Sequence, residues 1–461
     1  MRIVPITLAA TLALAAPLRA QKTPPDAAPA LSSGSAGATR GAAPAQEPGA
    51  NAVGPAAPKP VEPAAKPAEP AVGKPQSKPS SVSAGSDGFG MQSEDGEYRL
   101  QLRGYVQLDG RFFASDEGAL AIDTFTIRRA RPILQGSLGR YFDFSLVPDF
   151  GGGSTVLQDA YLDFKPSARL KLRFGKYKPP VGLERLQPAT AISFVERAFP
   201  SALLPNRDVG VMVHGDLAGG VVSYAAGVFD GAPDGGSVDG DLNDGKDLDG
   251  RLFLSPWKRG RSRLKHLGFG IAGTTGDQTG PLPAYRSGGQ ISVITIVSGV
   301  TADGTRTRYS PQLSFYSGRL GLLAEYAASS SKVRNAEGTR YDLDIRAWQV
   351  AASVALTGDA ASYSGLRPSK PFDPARGQWG GLELAARVHA LELDAAALDA
   401  GLVDPTRSPR ELSAWTVGLN WSLTRNVKLV GDFEHVSFTG GAVGRGRDAE
   451  NVFFVRTQLS F

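Results

Sequence analysis

From Glu97 to Phe461 apolar and polar residues alternate with a period of two. Arg99–Arg111 sets the pattern. Leu100, Leu102, Val106 and Leu108 fall on one side, and Arg99, Gln101, Arg103, Gln107, Asp109 and Arg111 on the other. Side chains on a strand point alternately to its two faces, so this spacing builds a strand with one apolar and one charged face. Ala168–Tyr177 repeats it, with Leu170, Leu172 and Phe174 between Arg169, Lys171 and Arg173. Sixteen such strands are predicted, at 97–113, 122–138, 140–150, 155–165, 168–177, 206–218, 220–230, 248–257, 264–274, 305–317, 319–330, 340–358, 378–393, 409–424, 425–437 and 450–461. Short turns fall at Gly139, Pro166-Ser167, Gly219, Ser317-Gly318 and Thr424–Asn426. Long loops fall at 178–205, 231–247, 275–304, 394–408 and 438–449, and the connection 359–377 is long where the alternation calls for a short one.

Alternation alone also suits a soluble sandwich that hides its apolar face between two sheets. An even strand count, long loops alternating with short turns and a secretory leader favour a membrane barrel. Closure is also the only way a sheet can satisfy its backbone groups in lipid. The fold class read from the pattern is therefore all-β: a transmembrane antiparallel β-barrel of about sixteen strands. Mean hydropathy of −0.15 fits, because half of each strand faces water. The leader is residues 1–20, with Arg2 ahead of an apolar run from Ile3 to Ala16 and a cleavage site before Gln21. Residues 21–86 are Pro/Ala/Lys-rich and hold too few large apolar side chains to offset chain entropy, so a disordered periplasmic linker is expected there. The barrel domain is expected over 87–461.

Composition narrows the chemistry. The chain has no cysteine, so thiolate metal sites, disulfides and a cysteine nucleophile are excluded. Its four histidines are scattered. No metal or other cofactor is expected. A net charge of +5, from 50 basic and 45 acidic residues, is too balanced for a nucleic-acid binder. No serine motif accompanies a histidine, so an enzyme built on the barrel is not expected. The run Asp230–Asp249 has the composition of a calcium loop, with Asp239, Asp241, Asn243 and Asp247 as oxygen donors, but lacks the ordered spacing and terminal Glu of an EF-hand. A mobile extracellular loop is the plainer reading, and a divalent-cation bridge to lipopolysaccharide or to the protein's own loops is the alternative.

Certain stretches resemble the phosphate-selective porin O and P family. They are TIRRARPILQGSL at Thr126–Leu138, DAYLDF at Asp159–Phe164, LRFGKYKPPVGLE at Leu172–Glu184, PNRDVG at Pro205–Gly210, GGLELAAR at Gly380–Arg387 and VGLNW at Val417–Trp421. The resemblance covers about 95–461. It implies a sixteen-stranded outer-membrane porin, usually a homotrimer, passing phosphate or other small anions. It also implies that the third long loop, 178–205, folds inward as a constriction. The last strand, ending at Phe461, resembles the signal read by the barrel assembly machinery.

An anion entering a narrow pore needs replacement hydrogen bonds without being trapped. Two residues advance about 6.6 Å along a strand, so alternating cations form a ladder. One unit charge at 4 Å is worth about 4 kcal/mol at an effective dielectric of 20, so several together call for a nearby acid to weaken the hold. Arg169, Lys171 and Arg173 make one ladder. Arg129 and Arg131 share a face, whereas Arg128 takes the other and is expected at a rim, a bulge or a subunit interface. The family resemblance brings Arg128, Arg129, Lys176 and Lys178 to the constriction. Asp159 and Glu184 are the candidate acids that tune it. A passive anion-preferring channel is the leading reading. The alternative is a general porin whose N-terminal arm also tethers outer membrane to cell wall.

Overall fold

The computed structural model describes residues 81–114, 122–241, 243–440 and 448–461. The leader 1–20 and linker residues 21–80 lie outside the described residues. Twenty strands form. β1 (Ser81–Gly85), β2 (Gly88–Gln92), β3 (Tyr98–Phe113), β4 (Thr124–Leu138), β5 (Phe142–Asp149), β6 (Val156–Ser167) and β7 (Leu170–Tyr177) precede the long loop 178–207. β8 (Asp208–Leu217), β9 (Val222–Phe229), β10 (Asp247–Leu254) and β11 (Leu267–Pro281) follow it. A small hairpin, β12 (Tyr285–Arg286) with β13 (Ser292–Ile294), sits in the next loop. The last seven strands are β14 (Thr301–Ser317), β15 (Leu320–Arg334), β16 (Arg340–Ala355), β17 (Gly381–Leu393), β18 (Glu411–Ser422), β19 (Val427–Thr439) and β20 (Glu450–Ser460).

Leaving aside the β1–β2 and β12–β13 hairpins, each strand pairs antiparallel with the next, and β20 pairs back onto β3. The result is a closed sixteen-stranded barrel, as the alternation requires. Connections after β3, β5, β7, β9, β11, β15, β17 and β19 share one end, here the loop end, and the others share the turn end. The burial is that of a barrel in lipid. Leu108 and Leu459, on the outer face, are 45% and 49% exposed, whereas Gln107, Asp109 and Arg456 on the inner face are 0–4% exposed.

Two departures from the sequence reading have physical causes. Residues 81–85, assigned to the linker on composition, form β1, because β2 pairs with Arg99–Leu102 of β3 where β20 has already ended opposite Tyr105. β11 and β14 extend to Pro281 and Thr301, into the span read as a loop. Their outer positions there are Thr275, Asp277, Thr305 and Thr307, so the apolar half of the alternation is missing although the ladder continues.

The same effect appears within single strands. Along β16 the outer positions run Asp342, Asp344, Arg346, then Trp348 and Val350, while the inner ones run Leu343, Ile345, Ala347, then Gln349. The polarity of the two faces inverts between Ala347 and Trp348. β18 inverts between Ala414 and Trp415. Below the inversion the outer face is apolar, for lipid; above it the strand has an outer face for water and an inner face for a core.

The largest such core lies on one side, while β7–β9 carry only a small cluster of Tyr177, Met212 and Phe229. Val181, Phe199, Leu203 and Leu204 of loop 178–207, Val293, Ile294 and Val300 of loop 282–300, and Ala397, Leu402 and Val403 of loop 394–410 pack on Ile345, Leu391, Leu412 and Val436 of the wall. The β14–β16 strands of this wall have 15–17 residues, against eight each in β5, β7, β9 and β10. The barrel is therefore tall and filled on one side, low and open on the other. The long connection 356–380 keeps the strand count intact by entering the lumen from the turn end. There Tyr363 donates from its hydroxyl to the Leu183 carbonyl at 2.6 Å and accepts at its own carbonyl from Gln187 at 2.7 Å.

Candidate functional site

The inserted loop has irregular backbone deep in the barrel, so its polar groups need partners there. The wall supplies them. Glu325 of β15 accepts from the Leu183 and Glu184 amides at 2.5 and 3.2 Å, and Asp432 of β19 accepts from the Val195 amide at 2.5 Å. Donors meet the loop's carbonyls: Asn420 on Ser193 at 2.8 Å, Lys428 on Ile192 at 2.9 Å, Gln107 on Ala189 at 3.1 Å and Arg387 on Glu196 at 3.0 Å. Arg387 also holds Glu434 at 2.9 Å and approaches Glu184 at 3.6 Å. Gly182, at φ 82°, makes the bend into the one-turn helix α1 (Leu183–Leu186); a Cβ there would lie 2.6 Å from Leu204.

The loop's other side faces an open cavity of about 1400 Å³. Its lining comes from both ends of the barrel: Gly151 and Gln290 at the loop end, Asp216 and Arg425 at the turn end. Fourteen Lys or Arg residues line it, against six Asp or Glu. The wall cations are largely partnered. Arg131 bonds Asp149 at 2.6 Å and Arg173 grips Asp163 with two 2.7 Å bonds, and the last loop residue, Arg207, bonds Asp159 of β6 at 2.7 Å. Arg173 also stacks 3.9 Å from the Tyr161 ring centre.

The loop cations are held differently. Lys178 donates to the Gln187 and Leu186 carbonyls at 3.0 and 3.3 Å, Arg197 to the Gln187 carbonyl at 2.8 Å and to that of Glu184, and Arg185 to Asn206 at 3.2 Å and to the Ser201 carbonyl. None of the three forms an ion pair among the described residues. Burial, then the charges of Arg197 and Arg207, hold the Lys178 ammonium well below the usual lysine range. The same causes bring Arg185 down to about 9. An anion between them would relieve this repulsion and replace lost water.

The proposed path residues divide. Arg128, Arg129, Arg131, Arg173, Lys178 and Asp159 line the cavity; Arg169, Lys171, Lys176 and Glu184 do not. Arg128 was ambiguous in the sequence. A register shift after Gln107 pairs Leu108 with Ile127 and Gln107 with Arg129, leaving Arg128 as the extra residue of a β-bulge. The bulge turns it inward, to Glu196 at 3.1 Å. Burial would raise the Glu196 carboxyl, but Arg128 and Arg129 outweigh it and bring it to about 2. Arg129 donates to Gln107 at 2.8 Å. Arg169 is exposed in the turn before β7, so the ladder loses its first rung. Lys176 stands opposite Ala160 and Val209, on the outward register, and reaches Asp239 in the loop after β9. Glu184 sits behind the loop, accepting from the Ala198 amide at 2.9 Å, and so anchors the loop from the core side. The acidic run is likewise engaged: Asp241 pairs with Lys246, and Asp247 with Arg306 and Arg308 at 3.4 and 3.3 Å.

Arg185, Arg207, Arg367 and Lys428 were missed, although each lines the cavity. A period of two cannot weigh the first three, which lie in loops, whereas Lys428 lies in β19 on the face of Asp432 and Glu434 and could have been found by parity. The signal available for Arg367 was the anomalous length of its connection.

The model of the phosphate-selective porin O and P family matches residues 100–461. Among curated protein sequences none matches. Solved structures with a similar fold include an anion-selective porin from Comamonas acidovorans, at 13% identity and a TM-score of 0.50, covering 79% of this chain and 100% of that one. The outer-membrane channel DcaP of Acinetobacter baumannii aligns at 10% identity and 0.51, covering 80% and 99%. The trimer form of OmpT from Vibrio cholerae aligns at 12% and 0.51, covering 79% and 99%.

Proposed function

We propose, for a chain that belongs to the phosphate-selective porin O and P family and is an outer-membrane porin, that the eccentric cavity passes small anions by diffusion in preference to cations. The observation that carries this is the unpaired trio Lys178, Arg185 and Arg197 on the cavity side of the inserted loop. Wall arginines already bound to carboxylates add less field, so the path runs along the loop face rather than up a strand ladder. Arg128, Arg129 and Arg131 flank it on β4, and Asp159 and Glu196 lower the net hold on an anion. Phosphate or polyphosphate suits the guanidinium forks, which match oxyanion geometry. A homotrimer is the assembly proposed.

Reversal potentials across planar bilayers under a salt gradient test the reading. Lys178→Glu with Arg197→Glu changes the local charge by two units at each site, and anion preference should be lost or reversed. Unchanged selectivity would place the filter elsewhere. Deleting residues 21–80 should leave conductance intact; if cell-wall association falls with that deletion, the tether role coexists with the channel.

A further inference from the structure

The turn between β10 and β11, residues 255–266, differs from its neighbours. It has twelve residues, whereas the turns at 139–141, 168–169, 218–221, 318–319 and 423–426 have two to four. It carries Lys258, Arg259, Arg261, Arg263 and Lys265, all exposed. None of the five pairs with a described carboxylate, and none lines the cavity. Lys258 and Arg259 bond the Gly220 and Ala218 carbonyls of the adjacent turn at 3.2 and 2.7 Å, which fixes the root of the cluster.

The apolar residues beside it are equally informative. Trp257 is 41% exposed and lies 6.3 Å, ring centre to ring centre, from Phe269 on the lipid-facing side of β11. Leu264 is exposed in the same turn. Around the turn end stand Tyr141 and Phe142, with Arg140 over the Tyr141 ring at 5.5 Å, and Trp379 and Trp421 on the far side. Aromatic residues in such a ring mark the boundary between acyl chains and headgroups. The basic residues just beyond Trp257 then sit at the depth of lipid phosphates.

We propose that the 255–266 turn is a binding site for anionic phospholipid headgroups in the leaflet facing the turn end. Trp257 and Leu264 enter the acyl boundary, and Arg261, Arg263 and Lys265 hold the phosphates. A soluble acidic polymer would leave both apolar side chains in water, which favours lipid as the occupant. The site is separate from the permeation path and independent of its selectivity.

Spin-labelled phosphatidylglycerol and phosphatidylcholine, each added to the full-length protein in phosphatidylcholine bilayers, test this by electron paramagnetic resonance. The motionally restricted fraction should favour phosphatidylglycerol several-fold and lose that preference at high salt, where surface charges are screened. The triple variant Arg261→Gln, Arg263→Gln, Lys265→Gln should bind both lipids about equally, with its heat-dependent gel shift and conductance unchanged. Absence of a preference in the native protein, or a preference indifferent to salt, overturns the proposal without any variant. A preference that survives in the folded triple variant also overturns it. Salt-sensitive binding to purified peptidoglycan, without lipid preference, would assign the patch to the cell wall and refute the lipid reading.

Discussion

On the β4–β10 side, strands of eight to fifteen residues present arginine–carboxylate pairs to an open cavity. On the β14–β19 side, taller strands turn Ile345, Leu391 and Leu412 inward and bury them under three loops. Both walls obey the same period of two. They differ in what the inner face meets, water in one case and protein in the other. The difference shows how an irregular loop can be held rigidly inside a pore. Loop 178–207 is clamped from behind by the apolar core and by Glu325, Asp432 and Arg387, and it turns Lys178, Arg185 and Arg197 toward the wet side. A cation can be left without a carboxylate when its chain is fixed by other contacts.

The sharpest way to break the comparison is to put the same kind of change in each wall. Ile345→Asp places a carboxylate among the buried apolar side chains of Leu343, Leu391 and Leu412. An uncompensated buried charge costs about 4 kcal/mol, and the plug should loosen or fail to form. Arg173→Gln in the low wall leaves Asp163 in a wet lumen beside His214 at 3.7 Å, and should cost about 1 kcal/mol. Urea unfolding followed by the gel shift of folded barrel measures both. Equal costs would mean that the two walls are energetically alike.

Next in size is the clamp between them. Glu325→Ala leaves the Leu183 and Glu184 amides buried without an acceptor, a loss of about 3 kcal/mol. The rim pair Arg410–Glu392, at 3.2 Å with both side chains about half exposed, is the control. Glu392→Ala there should change stability by about 0.5 kcal/mol or less. Because the clamp holds the constriction, Glu325→Ala should also raise open-channel current noise while Glu392→Ala leaves it alone. Quiet channels in Glu325→Ala would mean that the apolar plug suffices.

The barrel was legible because lipid demands an apolar residue at every second position over about ten residues, and β3, β7, β18 and β20 comply. The plug was harder to see, yet its trace is in the sequence: the phase inverts along β16, from Leu343 and Ile345 inward to Trp348 and Val350 outward. Reading each strand as having one apolar face throughout hides that inversion. Of the site, Lys178 and Arg129 could be located from strand parity and family resemblance. For Arg128 the family resemblance pointed to the constriction while parity pointed the other way, since one extra residue in the ladder reverses its direction and a bulge leaves no mark on composition. Arg169 lies in a turn, where strand parity does not apply, whereas Lys176 keeps the outward parity of Leu172 and Phe174, so for it parity and family resemblance pointed different ways.

A gentler test titrates one of the loop cations. Deprotonation removes positive charge, so anion preference should fall as pH rises through the point where Lys178, held by burial and by Arg197 and Arg207 well below the usual lysine range, loses its proton. Glu196, brought to about 2, stays ionised throughout this range and contributes no slope. Lys178→Gln should flatten that step. Reversal potentials measured at constant ionic strength follow it. A flat profile in the native protein would show that Lys178 stands outside the field felt by permeating ions.

Among the supports of the inserted loop, the smallest expected effect comes from the turn end. Tyr363 reaches up from connection 356–380, and its hydroxyl donates to the Leu183 carbonyl at 2.6 Å while Gln187 donates to its own carbonyl at 2.7 Å. The Gln187 carbonyl in turn receives Lys178 at 3.0 Å and Arg197 at 2.8 Å, so one residue links the turn-end segment to two of the three loop cations. Tyr363→Phe removes only the hydroxyl bond, a net loss of about 1 kcal/mol, and keeps the ring and the backbone contact. Folding and selectivity should be nearly native, with a modest rise in current noise well below that of Glu325→Ala. Gln187→Ala, which removes the other bond, should add to Tyr363→Phe because the two bonds grip different points of the segment. If Tyr363→Phe proves as noisy as Glu325→Ala, the turn-end segment is a primary support of the constriction, and the contrast between the two walls must be extended to a contrast between the two ends.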